Sequence, residues 1–203
     1  MRNLGVQLNM GIRTHKIESH WNYLLAIERD LVELSRYVEF DETNFECFSI
    51  EIARILLASG AEVDVVCKQL CRVINNQSTA ENINPYRDEI IKAFPGIGQF
   101  EVLLPRFGLS LRPWDEWKNL KGVPFWWTAY NKIKHQRDSE YGRANLKNAL
   151  NAVAGLFIMV LYLYRDKAQS GELHPSPQLL RVADEHFGDI AFVGFDAGIN
   201  YKL

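Results

Sequence analysis

The 203-residue chain carries few of the motifs that announce a known chemistry. It has no Gly-x-x-x-x-Gly-Lys phosphate loop, no Gly-x-Gly-x-x-Gly turn after a strand, no His-Glu-x-x-His and no Gly-x-Ser-x-Gly elbow. Those absences set aside the nucleotide-loop, dinucleotide, zincin and nucleophile-elbow mechanisms. Gly96-Ile97-Gly98 is too short a glycine pattern to replace them. Cysteine is scarce: Cys47, Cys67 and Cys71 cannot all pair, and no second Cys or His pair lies near the last two to complete a zinc site. Small buried thiols in a reducing cytoplasm are the expectation. Met1 to Ile12 lacks the long apolar core of a signal peptide. The most apolar run, Ala149 to Tyr164, is interrupted at Asn151. It falls short of the roughly 20 residues a spanning helix needs, so a helix buried in the protein interior is expected and no membrane partner.

Net charge is also low, at -2, and names no partner. Its distribution says more. Residues 1–64 hold six Lys or Arg against eleven Asp or Glu, whereas residues 118–147 hold seven against two. Such a local cationic patch attracts phosphate groups or complements the acidic first third.

What is present reads as helices. Trp21, Leu24, Leu25, Leu31, Leu34 and Val38 predict an amphipathic helix from about His15 to Phe40, followed by turn and capping chemistry in Asp41-Glu42-Thr43-Asn44. A second long helix is expected to about Asn76, with Ile52, Ile55, Leu56, Val63, Val66, Leu70, Val73 and Ile74 as its apolar stripe. Glu51 and Glu62 border that stripe about 20° apart, either reaching a site or paired, for instance with Arg54. Leu146, Leu150, Val153, Phe157, Val160 and Tyr164 mark the inner face of the pillar helix.

Between Pro85 and Pro124 the helical rhythm weakens into an insertion. One short helix, Tyr86 to Phe94, is expected there, then a hairpin of Phe100–Leu104 and Phe107–Leu111 covered by Trp114 and Trp117. Those indoles serve either packing or stacking on a base. Asp166 to Gly171 ends the pillar, and Ile190 to Phe195 reads as a strand that pairs with the insertion or a second subunit. Of the remaining histidines, His15, His20, His174 and His186 read as surface or capping residues. The expected architecture is thus mainly α: one domain over 1–203, a helical core over 15–168, an insertion over 85–124 and an extended tail over 169–203.

Function shows only in Tyr130-Asn131-Lys132-Ile133-Lys134-His135-Gln136-Arg137. On a helix Asn131 and His135 leave the same face one turn apart, with Trp127 a turn earlier. The pair forms a polar site, or else hydrogen-bonds buried backbone or the acids of the second helix, with Tyr130 packed beneath.

Two long helices, an insertion, a short helix with a polar motif ending in histidine and a final apolar helix resemble the HEPN superfamily over about residues 15–168. The string Tyr130-Asn131-x-x-Lys134-His135-x-Arg137 is similar to a bacterial and phage branch of it. The superfamily's motif begins with an arginine that would here fall at Tyr130, Ala129 or Thr128, so the match covers only the asparagine-to-histidine half. The resemblance implies a HEPN-like bundle of about four to five helices acting as a homodimer. It further implies a metal-independent RNA endonuclease of toxin or antiviral type, without cofactor and with a cognate antitoxin as a potential partner. Alternatively it implies a degenerate module that binds nucleotide, nucleic acid or protein. In the active reading His135 moves the proton and Asn131 orients the phosphate or the imidazole. Lys134 or Arg137 then supplies positive charge, with Tyr130, Glu51, Arg54 and Glu62 as supporting residues.

Overall fold

A computed structural model describes residues 17–119, 121–193 and 196–203. The expectations for Met1 to Ile12, for His15 and for a helix start at that residue lie outside the described residues. Six α-helices and two small antiparallel sheets make up the described chain: α1 (Ser19–Leu34), α2 (Ile50–Ile74), α3 (Ile83–Ala93), α4 (Phe125–Glu140), α5 (Leu146–Leu163) and α6 (Arg165–Ser170). Strands β1 (Val102–Leu104), β2 (Leu109–Leu111) and β3 (Arg181–Val182) form one sheet in the order β2-β1-β3, and β4 (Phe187–Val193) pairs with β5 (Asp196–Tyr201) in the other.

Local chemistry sets the helix starts. The Ser49 hydroxyl accepts from the Ile52 amide at 3.1 Å and Asn145 accepts from Asn148 at 3.0 Å, each satisfying an amide with no partner inside its helix. α1 is shorter than its apolar spacing predicts, ending at Leu34 rather than near Phe40. The chain turns there, and Phe40 is buried against Phe107, ring centroids 4.7 Å apart. Burial of an aromatic ring outweighs one more helical turn.

α5 is the centre of the molecule. It is long and apolar enough to cross a bilayer, but 83% of it is buried in the protein, packed on α1, α2 and α4. Its inner face is therefore not a stripe: Leu156, Ile158, Met159 and Leu161 are as buried as the residues at helical spacing. At its end Tyr162 is buried and Tyr164, expected inside, is half-exposed. Cys67 and Cys71 lie in the α2 interior, where burial raises both thiols, Cys71 to about 12, while Cys47 is exposed. The expected stripe of α2 stops short of its end, where Val73 is exposed and Ile74 half-buried in the last turn.

The insertion forms its expected hairpin, with Val102 opposite Leu111 and Leu104 opposite Leu109. Trp114 and Trp117 are core rather than cover. Trp114 donates to the Gly155 carbonyl at 3.2 Å and stands edge-on to Trp126, centroids 5.1 Å apart. A Cβ on Gly155 would lie 2.9 Å from the Trp126 ring, so glycine lets the indoles lie against the α5 backbone.

The tail is less extended than expected. The segment that joins the insertion sheet is Arg181–Val182, against Leu103 and Val102, while Ile190 pairs with Ile199 inside a hairpin of the tail's own. Residues 194–195, the end of the predicted strand, lie outside the described residues. A buried carboxylate fastens the tail: Glu28 of α1 accepts from the amides of Gln178, Leu179 and Leu180 at 2.7, 2.8 and 2.9 Å. Trp21 adds a bond to the Pro175 carbonyl at 3.1 Å.

Candidate functional site

α4 begins after Pro124, which offers no side-chain cap. The Glu116 carboxyl lies near the start of the helix, and burial raises its pKa. Trp126, Trp127, Ala129, Tyr130 and Ile133 form the buried side of the helix. The approach to α2 is close: a Cβ on Gly60 would lie 2.4 Å from Cδ2 of Tyr130. Gly60→Ala gains helix propensity of about 1 kcal/mol but must displace that ring. We expect a net loss of roughly 1–2 kcal/mol in urea unfolding. Unchanged or higher stability would show that Tyr130 does not hold α4 in place.

On the opposite side α4 presents Thr128, Asn131 and His135 along one stripe. Together with Trp127, Lys132 and Gln136, and with Val123 and Ile83 from neighbouring segments, they line an open recess of about 320 Å³. Apolar groups form one wall and amide, imidazole and ammonium groups the rim. His135 is exposed and Asn131 half-buried. Among the described residues neither side chain forms a hydrogen bond, so both keep their full donor and acceptor capacity toward the recess. Their expected alternative, bonding to buried backbone or to α2 acids, is not what holds them.

The other candidates go elsewhere. The Lys134 ammonium lies 5.6 Å from the centroid of the Tyr130 ring, and Tyr130 itself is buried between α4 and α2. Glu62 bonds Nδ1 of His20 at 2.5 Å, while Nε2 of His20 meets Oε1 of Gln69 at 3.1 Å. His20 is accordingly buried in a tie between α1 and α2 rather than a surface or capping residue. Glu51 pairs with Arg54 across one exposed turn.

Arg137 is separated from His135 by a break in the helix. Gln136 has φ -141° and ψ 40°, non-helical values in the middle of α4. Beyond it Arg137, Asp138 and Tyr141 line a different recess of about 700 Å³, facing Ile50, Ala53, Arg54 and Leu57 of α2. Phe48, 51% exposed, stands edge-on to Tyr141 beside it.

Asn131 and His135 are thus brought together, and Lys134, Arg137, Glu51, Arg54 and Glu62 are not brought to them. The cation that shares their recess is Lys132, which the motif reading passed over. Helix arithmetic alone could not have chosen it, since Lys132 lies about 60° from His135 and about 100° from Asn131 around the axis, and Lys134 the reverse. The recess thereby combines a proton carrier, an amide and an ammonium group. Among the described residues no three His, Cys, Asp or Glu side chains gather in a metal-binding cluster. Comparison with protein-family models, with curated proteins and with solved structures returns no match.

Proposed function

We propose that the chain is a HEPN-like protein whose Asn131–His135 recess acts on RNA phosphodiesters as a metal-independent endonuclease. The observation that carries this reading is an imidazole and an amide one turn apart, without a hydrogen-bond partner among the described residues, on a rim that also holds an ammonium group. Attack of the 2′-oxygen on the adjacent phosphorus, with cleavage of the bond to the 5′-oxygen of the next nucleotide, needs a group that takes the 2′-hydroxyl proton and returns one to the leaving 5′-oxygen, for which imidazole is suited near neutral pH. It also needs donors aimed at the phosphate oxygens, which the Asn131 amide and a nearby cation supply. The surplus of basic residues over 118–147 favours approach of a polyanion. A toxin or antiviral effector kept in check by a partner protein is the biological setting that the resemblance suggests.

The test is incubation of the purified chain with a mixed labelled RNA pool in chelator, followed by end-group analysis. New ends carrying 2′,3′-cyclic phosphate support the proposal. The departures of Lys134 and Arg137 from the recess favour a second reading, in which the chain binds nucleotide or nucleic acid without cutting it. RNA retention without new ends selects that reading.

A homodimer belongs to the same proposal. Phe48 and Ile50, 51% and 70% exposed, form an apolar surface beside the recess at the end of α4, a position suited to a partner. Light scattering at micromolar concentration should read about twice the 23.4 kDa chain mass. A reading at the chain mass contradicts it.

A further inference from the structure

Among the described residues that line the Asn131–His135 recess, Lys132 is the one Lys or Arg. Its ammonium lies 3.0 Å from Oε1 of Gln136 and 3.6 Å from Oε1 of Glu140. Residues eight apart stand about 12 Å apart along a straight helix. The break at Gln136 reorients the segment that follows it, and Glu140 meets Lys132 across that break. Arg143 holds Glu140 from its other side.

We infer that Lys132 is the phosphate-contacting cation of this recess and that Glu140, from outside the recess lining, holds the Lys132 ammonium as an internal carboxylate in the place of a phosphate until a ligand takes over. This rests on the proposed reading of the recess as an RNA site and names the group that supplies its missing positive charge. The exchange is chemically matched. Lys132 keeps an anionic partner before and after, and Glu140 keeps Arg143 when it lets go. The Glu140 carboxyl lies below its ordinary range, first through the hydrogen bond from Arg143 and then through Lys132, so it remains ionised at neutral pH. Both side chains of the Lys132–Glu140 pair are partly exposed, 41% and 25%. The contact is therefore weak enough for a ligand to displace.

The test uses the full chain and a fluorescein-labelled 12-nucleotide RNA whose 2′-positions are methylated, so that binding is read without cleavage. Lys132→Gln should weaken binding at least about 5-fold, and Glu140→Gln should tighten it about 2–5-fold, the size of a released surface pair. Because any lost acid favours a polyanion, the deciding variant is the double one. In the Lys132→Gln background, Glu140→Gln should bring little or no gain, and Asp138→Asn in the parent should not reproduce the tightening. A full Glu140→Gln gain without Lys132, or parent-like binding by Lys132→Gln, overturns the inference.

A second probe separates it from the RNA reading. Titration with inorganic phosphate should shift the Asn131 side-chain amide resonance at lower concentration in Glu140→Gln than in the parent. Phosphate shifts without RNA binding leave the anion site standing and reject the RNA substrate. Neither phosphate shifts nor RNA binding rejects both.

Discussion

Glu28→Ala should lower the unfolding free energy by about 3–5 kcal/mol, as expected for loss of a buried charged acceptor. Glu28 is 3% exposed and its two oxygens take three consecutive backbone amides of the tail. Alanine leaves those amides buried without acceptors, each at a cost of about 1–3 kcal/mol. Detachment of residues 178–180 caps the loss, since water then satisfies the amides while Leu179, Leu180 and Val182 lose their burial. Urea unfolding reads the total, and amide exchange at Gln178, Leu179 and Leu180 shows whether the tail opens first. Glu28→Gln should fall between parent and alanine, because one amide oxygen can still serve Leu179 and Leu180. An alanine variant as stable as the parent, with those amides still protected, rules out Glu28 as the fastening.

Glu28 also shows what the sequence concealed. It sits in register with Leu24, Ile27 and Leu31, so an acid occupies a core position of an otherwise apolar stripe. That mismatch is visible in the sequence, but its three partners lie some 150 residues away and have no local signature. The same divide runs through the fold. α2, α5 and the β1–β2 hairpin follow from periodicity and turn residues, all local signals. The end of α1 and the pairing of Arg181–Val182 with β1 depend on Phe107 and Val102, which only the folded chain brings near. In the site, the Asn131–His135 pairing follows from helix spacing alone. The fate of Arg137 does not, because the non-helical Gln136 between them has no sequence marker such as proline or glycine. That of Lys134 does, because Tyr130 lies four residues before it, the same spacing that pairs Asn131 with His135.

His135→Ala should abolish RNA cleavage while leaving the fold intact, and the pairing of those two outcomes gives the experiment its force. A positioned acid–base group contributes about 10²–10⁴-fold to such a reaction, enough to take a slow endonuclease below detection. His135 is exposed and makes no hydrogen bond among the described residues. Its truncation should therefore change stability by no more than about 0.5 kcal/mol, as for an ordinary surface site. Asn131→Ala should reduce cleavage with equally little effect on unfolding, since its amide likewise has no hydrogen-bond partner among the described residues. Rates on a defined RNA, measured in chelator beside urea unfolding curves, separate the cases. Lost cleavage with a parent-like unfolding curve assigns His135 to the chemistry. Lost cleavage with a destabilised protein would move the imidazole into the framework of the helix. Undiminished cleavage by the alanine variant would place the active group elsewhere, with Arg137 and Tyr141 across the Gln136 break the next side chains to replace.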